Sequence, residues 1–157
     1  MILRLTSIIL LASLWARAQP EPDTVPAFEP YFSATVVTNL ERSAQWYQSV
    51  FGLAVKERMN DAVGNYKIII LTSPKLMWEL LELKGSLARH ALLEGKAPGT
   101  QIEGPFKTGF KVQDINQWLA HLSALKIDVP HVWTDATTGK GNFIISDPDG
   151  NLIQFFD

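Results

Sequence analysis

Two stretches of this chain carry the same order of elements, and that repetition constrains the fold more than any single motif. Tyr31 to Thr38 is a strand rich in Val and Thr. Asn39 is suited to N-cap a helix running to Phe51, with Leu40, Ala44, Tyr47 and Val50 at helical spacing. Gly52 stands where a left-handed residue ends such a helix. Strands are then expected over Leu53–Arg58, Tyr66–Leu71 and Leu76–Leu83, with a turn at 60–65. After a polar, Gly-rich stretch from Lys84 to Pro105 the order begins again. A strand spans Phe106–Val112, and Asp114 caps a helix with Ile115, Trp118, Leu119, Leu122 and Leu125 on one face. An extended segment, Ile127–Trp133, leads to a closing hairpin. Setting Asn39 on Asp114 brings Leu40 onto Ile115 and Val37 onto Val112. The chain thus repeats a βαβββ module, 31–83 and 106–157. Neither copy buries both faces of its own sheet, so the two must pack together into one α+β domain.

The closing hairpin reads N-F-I-I-S-D-P-D-G-N-L-I-Q-F-F-D from Asn142. Pro148 presets φ for a turn and Gly150 accepts the positive φ of a tight reversal. Alternation then places Leu152, Gln154 and Phe156 on one face, with Ile153 and Phe155 on the other. Gln154 is the polar exception in an apolar strand.

The first eighteen residues stand apart from this repeat. Arg4, an apolar run from Leu5 to Trp15, and Ala16-Arg17-Ala18 form the pattern of a cleaved export signal. The run is shorter than the roughly twenty apolar residues that span a bilayer, so no stable membrane insertion is expected. Four prolines among acidic residues make 19–30 an extended tether. The expected location is exported, in a periplasm or outside the cell. The formal net charge is −2 and no basic stripe is present, which argues against nucleic acid as a partner. Zero cysteines exclude disulfides and thiol chemistry.

The residues Asn39-Leu40-Glu41-Arg42-Ser43, Trp46-Tyr47 and Phe51-Gly52-Leu53, with the closing Asp147-Pro148-Asp149-Gly150-Asn151-Leu152-Ile153, resemble the motifs of the vicinal oxygen chelate superfamily, which includes glyoxalase I, bleomycin-resistance proteins and extradiol dioxygenases. The first set matches with Asn for Asp and Trp for Phe; the second matches in full. The resemblance implies a half-open β cup with helices outside, and homodimers as in many members. In the metal-dependent members, the first strand of each module and a later strand each supply one ligand to a divalent cation. Those positions fall here on Phe32 and Lys107, seven residues before Asn39 and Asp114, and on Glu79 (or Glu82, if the strand is displaced by three) and Gln154.

These residues argue against a metal cofactor. Phe32 offers no lone pair. A Lys107 ammonium 4 Å from even one unit of positive charge is repelled by about 4 kcal/mol at an effective dielectric near 20. Deprotonating it at pH 7 costs roughly 4–5 kcal/mol. Zinc takes three protein ligands or more and the harder cations several oxygens. A slip of one residue offers only Ser33 and Thr108.

Glu79, Lys107 and Gln154 therefore stand as a polar group within the cup. They either satisfy one another or receive a ligand, with Lys107 meeting an anionic or carbonyl group and Phe32, Trp78 or Trp133 as walls. His90, His121 and His131 fall at none of the ligand positions and read as surface or packing residues. Three functions compete. The leading one is an exported, metal-free protein that binds a small, partly apolar molecule. The second is a metal-dependent lyase, isomerase or dioxygenase with ligands from Glu79, Glu82, Gln154 and His131. The third is a protein-interaction module without turnover.

Overall fold

The computed structural model describes residues 29–157. The expected export signal, and the tether up to residue 28, lie outside the described residues. Tyr31–Asp157 forms one compact unit.

The first module is β1 (Ser33–Val36), α1 (Leu40–Phe51), β2 (Ala54–Asp61), β3 (Tyr66–Ser73) and β4 (Leu76–Leu83). A five-residue helix, α2 (Arg89–Leu93), interrupts the connecting segment that composition alone marks only as polar. The second module is β5 (Lys107–Lys111), α3 (Ile115–Ala124), β6 (Val132–Thr134), β7 (Gly141–Ser146) and β8 (Leu152–Phe156). Each module folds into a four-stranded mixed sheet, ordered β1-β4-β3-β2 and β5-β8-β7-β6. β6 is shorter than the extended run expected over Ile127–Trp133. Pro130 has no N–H to give a ladder, and pairing with β7 begins only at Val132↔Phe143.

The repeat is kept to the level of strand register. Ala34 lies opposite Glu79 in the parallel pair β1–β4, and Gly109 opposite Gln154 in β5–β8, a constant offset of 75 residues (34 to 109, 79 to 154). The modules differ at their last turn. Thr72 pairs with Met77 and Ser146 with Leu152, so the second turn is one residue longer and holds the D-P-D-G-N sequence.

Both helices are capped as their sequences require. Asn39 accepts from the Arg42 amide at 2.9 Å, and Asp114 accepts from the amides of Asn116 and Gln117 at 2.9 and 3.1 Å. Gly52 ends α1 at φ 64°. Below α3 the left-handed position is taken instead by Lys126, at φ 58°.

One apolar core serves both modules and lies on the helix side of the two sheets. Trp78 of β4 packs on Tyr47 of α1, with ring centroids 4.6 Å apart. Phe155 of β8 packs on Trp118 of α3 at 4.7 Å and on Phe143 of β7 at 4.9 Å. Phe51 of α1 bridges them, stacked 6.0 Å from Phe155. Phe110 of β5 lies 6.0 Å from Trp78 of β4, so the cores of the two sheets are in contact there. Such aromatic pairs add roughly 0.5–1.5 kcal/mol each beyond area burial. The opposite faces of the sheets form the half-open cup.

Candidate functional site

The two sequence motifs meet in space, where the D-P-D-G-N turn of the second module docks on the first turn of α1. Asp147, buried, accepts from Tyr47 Oη at 2.9 Å, from the amides of Asp149 and Asn151 at 2.9 and 2.8 Å, and from Asn151 Nδ2 at 2.9 Å. Asp149 accepts from the Thr38 amide at 3.0 Å, the Thr38 hydroxyl, Ser43 Oγ at 2.9 Å and Arg42 Nη2 at 3.2 Å. Burial pushes the Asp149 carboxyl up, but the bonds from Thr38 and Ser43 and the Arg42 charge outweigh it and hold the group below the usual carboxylate range. Burial, then the Asp147 charge, raises the Tyr47 phenol far above its ordinary value, so it stays a donor at any physiological pH. This cluster is structural: it joins the modules and fixes the start of α1.

The open face carries the residues singled out in sequence. On the first module its rows across β1, β4, β3 and β2 are Ala34, Glu79, Ile70 and Glu57, then Val36, Leu81, Ile68 and Met59. On the second module they are Lys111, Phe156, Asn142 and Trp133, then Gly109, Gln154 and Ile144, then Lys107, Leu152 and Ser146. Glu79 therefore lies on the face of its sheet away from the helices, Lys107 and Gln154 lie on that face of theirs, and Phe32, more than half exposed, sits just before β1.

They are not joined to one another. Among the described residues no hydrogen bond or ion pair links any two of the four. Gln154 instead donates from Nε2 to Asn142 Oδ1 at 2.8 Å, a partner that period-2 alternation along β7 would have offered. Gln154 is only 7% exposed, and its Oε1 is buried with no partner. Leaving a buried acceptor unmade costs roughly 1–3 kcal/mol. The Trp78 ring belongs to the core rather than to the cup wall, and its Nε1 donates to Thr35 Oγ1 at 2.8 Å. Trp133 does lie on the open face, with His131 4.5 Å from it in an edge-on contact.

The choice between Glu79 and Glu82 resolves on strand alternation. Glu82 points to the helix side, where it accepts from the Leu40 amide at 3.0 Å and from Lys67 Nζ at 3.0 Å. The Leu40 amide first, then Lys67, holds its carboxyl below the ordinary value. It is occupied in capping α1 and is not a cup residue. His121 packs at the helix junction, its Nε2 3.1 Å from the Val50 carbonyl oxygen.

The model of the Glyoxalase/Bleomycin resistance protein/Dioxygenase superfamily matches residues 32–155. The chain belongs to this superfamily. Its fold agrees with solved structures of the group. A glyoxalase family protein from Enterococcus faecalis superposes with a TM-score of 0.70 at 21% identity, covering 82% of this chain and 97% of that one. A lactoylglutathione lyase from Agrobacterium tumefaciens gives 0.53 at 20%, covering 84% and 95%. The fosfomycin resistance protein FosX from Listeria monocytogenes, complexed with Mn(II) and sulfate, gives 0.56 at 12%, covering 82% and 90%. No curated protein matches the chain.

At the positions that the motif resemblance assigns to the metal ligands, the residues present do not fit a divalent cation. Phe32 and Lys107 bring no donor oxygen or neutral nitrogen, which leaves one carboxylate and the orphaned Gln154 oxygen. Among the described residues no group of three or more His, Asp or Glu side chains is placed to hold an ion. The open faces carry one carboxylate at Glu79 and two ammonium groups at Lys107 and Lys111, with Gln154 buried in the strand between β5 and β7.

Proposed function

We propose that this domain binds a small, partly apolar organic molecule in its cup without a metal ion, in the manner of a sequestering rather than a catalytic member of the superfamily. The unpartnered Gln154 Oε1 carries the reading. Among the described residues it is the one buried side-chain polar atom without a partner, and a ligand N–H or O–H that reaches it would complete it, on a face that already offers Lys107 to an anionic or carbonyl group. Phe32, Phe156 and Trp133 are exposed apolar side chains, the last two on the same sheet face as Gln154. Export is part of the proposal and rests on the 1–18 pattern. A homodimer is too, supported by the exposed Val36 and Met59 on the open face.

The test is a binding screen of small amide- and hydroxyl-bearing carboxylates against the full chain, followed by Lys107→Ala and Gln154→Leu. A ligand of this class whose affinity falls roughly tenfold or more in each variant supports the reading. A screen without ligands, or ligands indifferent to both substitutions, overturns it.

A further inference from the structure

The connecting segment encloses a hollow of about 380 Å³ against the module junction, away from Phe32, Glu79, Lys107 and Gln154. Arg42, Arg89 and His90 line it together with Leu92, Ile102 and Asp149. Its volume falls within the roughly 300–1,000 Å³ of ordinary small-molecule sites. Its charge is uneven. Asp149 is already saturated by Thr38, Ser43 and Arg42, and only Nη2 of Arg42 is engaged. Arg89 is half-buried as a residue and, among the described residues, its guanidinium has neither a hydrogen bond nor an ion pair. A guanidinium on the wall of a hollow with no carboxylate partner leaves its planar fork free to take an anion.

We propose that this hollow is a second binding site, for an organic carboxylate with a short aliphatic body. Arg89 takes the carboxylate through its two-pronged edge, the free Nη1 and Nε side of Arg42 adds charge, and Leu92 and Ile102 cover the chain. An arginine–carboxylate fork is among the stronger polar contacts a protein makes. The net formal charge of Arg42, Arg89 and Asp149 is positive, so an anion is favoured here over a neutral or cationic ligand. None of these six residues lies on the open face, although Val36, which does, also lines the hollow.

The experiment is an amide NMR titration of the full chain with hexanoate, alongside acetate and hexan-1-ol. Saturable hexanoate shifts are expected at 86–92, at Ile102 and at 149–151. Acetate, lacking the apolar body, and hexan-1-ol, lacking the charge, should bind more weakly. Arg89→Gln should weaken hexanoate roughly tenfold. Arg89→Lys, which keeps the charge but not the fork, should recover only part of that loss. A melting temperature unchanged in both variants separates loss of the site from loss of the fold. No hexanoate shifts in the hollow, or equal affinity in Arg89→Gln, overturns the proposal. Shifts confined to Lys107 and Gln154 would overturn it while supporting the cup.

Discussion

The two modules share a register and differ in what hangs on it. Ala34 faces Glu79 as Gly109 faces Gln154, yet the first module ends its last hairpin in Ser73-Pro74-Lys75 and the second in a turn with two buried or half-buried aspartates. Only the second turn reaches across to the opposite helix. The open faces differ too: Glu57 and Glu79 stand among aliphatic residues on one module, Lys107 and Lys111 among Phe156 and Trp133 on the other. Repetition of apolar period and capping residues is enough to build the same sheet twice. The chemistry lies in positions the repeat does not keep.

The difference between the turns gives the largest expected effect. Asp147→Ala strands the Tyr47 hydroxyl, two amides and the Asn151 side chain, and should cost about 3–5 kcal/mol in denaturant unfolding. Pro74→Ala, in the corresponding turn, should stay within about 0.5 kcal/mol. Equal losses would break the comparison. In the core, Phe155→Ala should cost about 3–5 kcal/mol, because its ring lies between Trp118, Phe143 and Phe51.

Acid sharpens the same contrast. Asp149 has a depressed folded pKa, so the stability it contributes is complete above the ordinary carboxylate value near 4 and is lost as pH falls through the lower folded value. Asp149→Asn should flatten that part of the acid limb in pH-dependent unfolding; an unchanged slope would remove Asp149 as its source. The smallest effect concerns the helix ends. Lys126→Gly relieves a left-handed side chain that Gly52 avoids in the first module. It should stabilise by up to about 1 kcal/mol, read as a raised melting temperature, whereas Gly52→Ala should lower it.

Much of the fold was legible because its signals are local. Asn39 and Asp114 cap as expected, Gly52 and Gly150 take positive φ, and Leu152–Phe156 alternates as the pattern requires. Alternation also places Glu79, Lys107 and Gln154 on the faces of their sheets away from the helices. What the sequence hid depends on contacts between distant residues. Nothing local tells that Asp149 meets Thr38 and Arg42, or that Glu82 reaches the Leu40 amide to cap α1. The hollow around Arg89 is of the same kind, formed by a connecting segment whose composition reads only as polar.

The most direct measurement is calorimetric titration of zinc, nickel and manganese into the full chain and into a Phe32→His, Lys107→His variant. The wild type should bind none of them at one equivalent. The double variant, which restores donors beside Glu79 and Gln154, should bind one equivalent of zinc or nickel and gain melting temperature on doing so. One tight equivalent in the wild type would contradict a metal-free cup. Failure of the double variant to bind would contradict the placement of Phe32 and Lys107 at its centre.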